Sequence, residues 1–214
     1  MIRFNIFGIP VRVEVWFWIT LALLGDDPKF SALNSNNPTV YLHVALFVLA
    51  GFVSILIHEL GHALMIKKYK LPTEIVLTTM GGYATYPSGR LSRKQSFLVT
   101  LAGPAVQLIF GLLILFGIQQ QFVMPSLAVG YFVSKLVVIS IVWAVFNCVP
   151  IFPLDGGQML AAVLGPRRAK GLYITGMVTA AILGLWALSV GSIFMTAFMG
   201  FFVYQNYQFY QRVS

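Results

Sequence analysis

Cysteine is almost missing from this sequence. Cys148 is the single one in 214 residues, which excludes an internal disulfide framework and any zinc site assembled from several cysteines. Charge is scarce too: 9% of residues are charged and six are acidic, against 58% hydrophobic residues and a mean hydropathy of +0.84. Those values lie outside the range of a water-soluble domain. There is no internal repeat, no low-complexity tract and no separate soluble segment, so a single integral membrane domain over residues 1–214 is the expectation. Near the amino terminus Arg3, Arg12 and Glu14 interrupt every apolar run, which argues against a cleaved signal and for a chain that starts at Met1.

Apolar length is what the sequence has in quantity. Four stretches, 41–66, 97–118, 127–149 and 172–190, are about as long as the ~20 residues that cross a bilayer. Two shorter ones, 15–24 and 193–207, bring the expected number of transmembrane helices to about six. The basic residues are grouped by loop: Lys67, Lys68 and Lys70; Arg90, Arg93 and Lys94; Arg167, Arg168 and Lys170. Six spans with both termini in the cytoplasm place all of these, with Arg3, Arg12 and Arg212, on one side. Lys29, beside Asp26 and Asp27, is then outside, and Lys135 lies in the outer half of its helix. The net charge of +8 therefore reads as membrane topology and headgroup contact, not as a nucleic-acid surface. A multi-pass protein of the cell membrane, with the bilayer as partner, is expected.

Inside the first long stretch sit His58, Glu59 and His62, ionisable groups where an apolar environment makes them costly and usually functional. Histidines four apart project from one helical face with Cβ atoms ~6 Å apart, close enough to bind one zinc ion. Glu59, one step round, can reach a metal-bound water without being a ligand, which is the HExxH arrangement of zinc hydrolases. His58 precedes Lys67 by nine residues, so at ~1.5 Å per residue the metal lies ~13 Å from the cytoplasmic end of the helix. His43 is fifteen positions away, ~22 Å along the helix, and is expected at the outer surface.

Two histidines leave a catalytic zinc one protein ligand short. Of the carboxylates beyond Glu59, Glu14, Asp26, Asp27 and Glu74 fall in strand-like or loop segments, which leaves Asp155, in "NCVPIFPLDGGQML". Pro150 and Pro153 break the preceding helix, and Gly156 and Gly157 permit close backbone approach. Taken alone, this stretch also fits an ordinary loop in which Asp155 caps a helix; beside HExxH it reads as the third ligand.

The His58-Glu59-Leu60-Gly61-His62 run in a membrane helix, followed about 90 residues later by "NCVPIFPLDGG" at 147–157, resembles the site-2 protease family of intramembrane zinc metalloproteases. Gly103-Pro104 is similar to that family's Gly-Pro element, and Gly81-Gly82 falls where the family has a Gly-rich strand segment. The resemblance implies one zinc per chain held by His58, His62 and Asp155, Glu59 as general base, and Asn147 in contact with substrate or the developing oxyanion. It further implies a single-span membrane protein as substrate. The sequence departs from the pattern at Gln107, where an asparagine often follows the Gly-Pro element, and no PDZ or CBS domain is recognisable. Two other readings have sequence support: a non-catalytic metal-binding scaffold of the same fold, and an ion transporter, since broken membrane helices bearing charge also line ion pathways.

A protease of this kind must hold its substrate extended, because a helix hides its own peptide bonds. The alternation in "GIPVRVEV" predicts a strand over 9–15, and residues 74–86 read as a hairpin turning at Gly81-Gly82. A small cytoplasmic-side sheet is thus expected, with Val76, Leu77, Thr78, Thr79, Gly81 and Gly82 presenting substrate by strand addition. Trp16, Trp18 and the aromatic residues Phe201, Phe202, Tyr204, Tyr207, Phe209 and Tyr210 are expected as interfacial anchors. Gly176, Gly184, Gly191 and Gly200 are expected at helix packing contacts.

Overall fold

In a computed structural model of the chain, residues 1–25, 38–79, 81–120 and 126–213 are described. Asp26, Asp27 and Lys29, expected outside, lie beyond them. Among the described residues are four strands, β1 (Ile2–Ile6), β2 (Ile9–Val13), β3 (Glu74–Thr78) and β4 (Gly81–Thr85). The described residues also hold seven α-helices, α1 (Val15–Gly25), α2 (Pro38–Lys68), α3 (Arg93–Gln119), α4 (Leu127–Asn147), α5 (Asp155–Leu164), α6 (Ala169–Ser189) and α7 (Ile193–Arg212), with a short 3-10 helix at Pro166–Arg168. The chain is mostly helical with one small sheet, as the sequence predicts.

Among the described residues four helical segments are long and apolar enough to cross a membrane: α2, α3, α4 and Pro166–Ser189, which contains α6. The expected total of about six depends on α1 and α7. At 11 residues, α1 is ~16 Å long, about half of a ~30 Å hydrocarbon layer. The 20 residues of α7 end in a polar turn, with Gln205, Asn206, Gln208 and Gln211 near its C-terminus.

By packing, the chain divides into two units: Met1–Ser88 with Ala102–Ala144, and Gly89–Leu101 with Val145–Ser214. The first unit contains the sheet, whose order is β1-β2-β3-β4. β1 and β2 pair antiparallel from Ile2↔Val13 to Ile6↔Ile9. Between them Phe7 and Gly8 both have positive φ (52° and 69°), the backbone of a two-residue hairpin turn whose twist matches the strands. β2 and β3 pair parallel, Val11↔Ile75 to Val13↔Leu77, which is why two helices intervene between them. Alternation sends Ile9, Val11, Val13, Ile75 and Leu77 into one core with Phe17 and Leu21 of α1 and Ile55, Leu56 and Ala63 of α2. The ammonium of Lys67 donates to the Phe7 carbonyl at 2.5 Å, tying the hairpin turn to the last turn of α2.

Three expectations need correction. The strand expected over 9–15 ends at Val13, and α1 begins at Val15. The pairing Thr78↔Gly81 and Leu77↔Gly82 puts both glycines inside β4, not in the turn. β3 is an interior strand, bonded to β2 on one side and β4 on the other. Val76, Leu77 and Thr78 therefore have no unpaired edge to offer, and among the described residues the strand at that edge of the sheet is β4.

The second unit is organised around α6 and α7, with Ile151, Ala180, Met199 and Phe202 at its core. Gly176 leaves no room for a Cβ against Asn206, and a Cβ at Gly184 would lie 3.2 Å from that of Met199, whereas Gly191 and Gly200 face open space. Small residues thus permit close packing at two of the four expected positions. The aromatic expectation also divides. Trp16, Tyr204 and Tyr207 are exposed, but Trp18 packs 5.0 Å from the Phe52 ring, Phe202 is core, and Phe209 closes on Tyr173 and Phe152.

Asn206 is the polar residue of that core. Fully buried, it donates from Nδ2 to the carbonyls of Phe152 (2.7 Å) and Phe202 (2.9 Å), while its Oδ1 has no partner. Its gain lies in what the amide donates. Because a buried carbonyl stripped of its donor costs about 1–3 kcal/mol, Asn206→Ala is expected to lower stability by about that amount, read as a reduced thermal midpoint of the purified protein in detergent.

Candidate metal centre

Helix α2 places His58 and His62 one turn apart on the same face, and their rings meet edge to face with centroids 4.7 Å apart. The two Nε2 atoms face each other at 3.0 Å. Two nitrogens each ~2.0–2.1 Å from a tetrahedral zinc would be about 3.3 Å apart, so the spacing fits a shared ion with a small rotation of either ring. Both residues are buried, as is Glu59.

Two glycines make this packing sterically feasible. At Gly61 a Cβ would stand 2.5 Å from the Ala102 carbonyl oxygen and 2.9 Å from Gly103 Cα, so α2 and α3 are in backbone contact there. At Gly103 a Cβ would collide with the imidazole of His62. The Gly-Pro element therefore has a concrete job: a bare backbone at 103 against which the His62 ring lies. Pro104 follows it inside α3.

Gly82 does the same for Glu59. A Cβ there would lie 2.6 Å from Glu59 Cγ and 2.8 Å from its Oε1, so the start of β4 runs directly past the carboxylate. Of the two glycines singled out in this strand, Gly82 is the one set against this group. Gly81, at φ 113°, adopts a conformation other residues rarely take. Thr78 is occupied otherwise, donating its hydroxyl to Glu14 Oε2 at 2.9 Å.

One residue in the first unit was read from sequence only as a departure. The Nδ1 atom of His58 is hydrogen-bonded to Gln107 Oε1 at 2.8 Å, and Gln107 is completely buried. A glutamine on the apolar helix α3 was the available signal. His43 is remote from this cluster, stacked on Tyr131 with centroids 4.2 Å apart and Lys135 Nζ 5.2 Å from the same ring.

The second unit holds Asn147 and Asp155, both buried. Asn147 is the last residue of α4. Asp155 is the first residue of α5, whose cap position is Leu154 with no side-chain capping bond, so it is not the capping residue of the alternative reading. A carboxylate in a first turn is favoured by the helix dipole. Here too glycines make room: a Cβ on Gly156 would strike the carbonyls of Cys148 and Val149, and one on Gly157 would lie 2.5 Å from Ile151 and Phe152 backbone atoms. The first turn of α5 is thereby pressed onto the loop that leads to it. At its other end α5 is held by Arg93, which donates from Nε to the Ala162 carbonyl at 2.8 Å and from Nη2 to that of Val163.

Gly103→Ala is expected to displace the His62 ring and weaken zinc binding by about tenfold or more. Gly117→Ala on the same helix, where nothing lies within 4 Å, is expected to leave it unchanged. A competition titration against a chromophoric chelator measures both.

Comparison with known proteins gives the family. The model of peptidase family M50 matches residues 46–126 and 123–190. A zinc metalloprotease of Methanocaldococcus jannaschii is 32% identical over 77% of this chain and 45% of its own length. The Synechocystis protein sll0528, provisionally named a zinc metalloprotease, is 31% identical over 94% of this chain and 57% of its own. The chain thus spans about half the length of these curated relatives. The solved structure of the site-2 protease from M. jannaschii superposes with a TM-score of 0.66 at 28% identity, covering 98% of this chain and 94% of that one. With the family model covering residues 46–190, and the HExxH motif at 58–62 within it, the chain belongs to peptidase family M50, the site-2 protease family.

Proposed function

We propose that this protein is an intramembrane zinc metalloprotease that hydrolyses peptide bonds within or near the transmembrane segment of a membrane-anchored protein. The observation that carries the reading is the convergence of two buried imidazole Nε2 atoms at 3.0 Å beside Glu59, on a helix long and apolar enough to span a bilayer. His58 and His62 hold zinc, and Asp155, the carboxylate of the second unit, is the third protein ligand. Zinc, when bound, supplies Lewis acidity toward the scissile carbonyl and acidifies a water. Glu59 accepts that water's proton and returns it to the leaving amine. Asn147 contacts substrate or the oxyanion. The names of the relatives, zinc metalloproteases and a site-2 protease, support this assignment.

The substrate is a single-span protein, held unwound as an added strand, the step that permits regulated intramembrane proteolysis. The free edge of β4, which passes Glu59 at Gly82, is the natural place for it. Orientation follows the basic residues at the helix ends: Lys67 and Lys68 close α2, Arg93 opens α3 and Arg212 ends α7. With positive charge inside, both termini are cytoplasmic in a multi-pass protein of the cell membrane.

Glu59→Gln is expected to retain zinc and abolish cleavage of a panel of single-span substrates in liposomes, while Asp155→Ala loses both; full cleavage by Glu59→Gln would overturn the assignment. For the strand, antiparallel alternation from the Thr78↔Gly81 pair points the N–H of Ala84 away from β3. Ala84→Pro removes that donor where an edge strand tolerates proline. Cleavage is expected to fall about tenfold with zinc binding unchanged, and unchanged cleavage would remove β4 from substrate presentation.

A further inference from the structure

A chain of buried polar groups runs across α2, α3 and α4 behind His58. Gln107 Oε1 meets His58 Nδ1 at 2.8 Å. Gln107 Nε2 lies 2.9 Å from Ser54 Oγ and 3.3 Å from the Ser54 backbone carbonyl oxygen, and Ser54 Oγ is 2.9 Å from Ser140 Oγ. Ser54, Gln107 and Ser140 are all fully buried. In an apolar bundle such a chain is costly unless each member is satisfied, and this one ends on an imidazole.

The direction of the bonds that Gln107 makes follows from a single atom. A backbone carbonyl can only accept, so the amide atom of Gln107 that faces Ser54 must be the NH2 group. Its Oε1 then faces His58, and as an acceptor it requires hydrogen on His58 Nδ1. A neutral imidazole protonated at Nδ1 has its lone pair on Nε2, the atom that faces His62. We infer that Gln107 is a positioning residue: anchored on α2 through Ser54, it fixes the His58 tautomer and ring so that Nε2 is the metal-donor atom. The departure from asparagine at this position fits the distance spanned. Glutamine reaches both Ser54 and His58, and a side chain one methylene shorter cannot bond both without moving α3.

The inference rests on reading His58 and His62 as zinc ligands, and its test separates the two. Zinc affinity and the cobalt(II) visible spectrum are measured on the full-length protein in detergent for the wild type, His58→Ala, Gln107→Leu and Gln107→Glu. Gln107→Leu removes the acceptor and is expected to weaken zinc binding by about 10–100-fold with a shifted cobalt spectrum. Gln107→Glu keeps an oxygen for the Nδ1 hydrogen and is expected to stay within about threefold of the wild type. Neither variant can donate to Ser54, but glutamate also buries a charge and leucine does not, so a purely structural role predicts the opposite order. Wild-type affinity and spectrum in Gln107→Leu would overturn the inference while leaving the metal site standing. If Gln107→Leu cannot be purified folded, Gln107→Glu decides alone: retention supports the inference, and a loss matching His58→Ala overturns it. Absence of zinc binding in the wild type would overturn the metal reading itself.

Discussion

Three ionisable side chains on consecutive turns of one apolar helix are the constraint around which the first unit is arranged. His58, Glu59 and His62 cannot face lipid without heavy cost, so each is covered by something chosen for smallness or for a matching polar atom. Gly103 lies flat against the His62 ring, Gly82 leaves space for the Glu59 carboxylate, and Gln107 meets the inner nitrogen of His58. Gly61 lets α3 approach closely enough for the first of these contacts. The glycines are thus not loose points in the chain. They are the places where backbone substitutes for side chain next to a functional group.

The sheet is subordinate to the same helix. Its core face rests on α1 and α2 through alternate residues of β2 and β3, and its turn at Phe7 and Gly8 is tied to Lys67. Because β2 and β3 are parallel, the segment joining them must leave the sheet and return, and the helix bearing the histidines lies on that excursion. Strand register and histidine position are therefore coupled by connectivity alone.

Much of this was legible in the sequence, and the reasons differ by element. HExxH announces itself because the i, i+4 spacing has one geometric meaning on a helix, and the Pro-Gly-rich stretch before α5 announces a broken helix because proline and glycine act locally. The strand β1 was missed, although Ile2, Phe4 and Ile6 alternate with Arg3 and Asn5 before a Phe-Gly turn, because five residues at a terminus give a weak periodic signal. The order of the strands could not be read from any segment, since alternation says which face is buried and nothing about which neighbour pairs. That is why Val76 to Thr78 were expected at an edge they do not occupy. Gln107 was visible only as an oddity, because its meaning depends on Ser54 and His58 of another helix.

The two edges of the sheet are not alike. The outer strand β1 carries Arg3 and Asn5, polar groups of the sort that discourage another strand from docking. The sequence of β4, Gly-Gly-Tyr-Ala-Thr, has no charge, no proline and no bulky branched side chain. Soluble proteins rarely leave such an edge unguarded, because it invites self-association and fibril-like pairing. Here the unguarded edge belongs to the strand whose Gly82 abuts Glu59, so the feature that invites pairing and the one that makes room for the carboxylate lie in the same five residues.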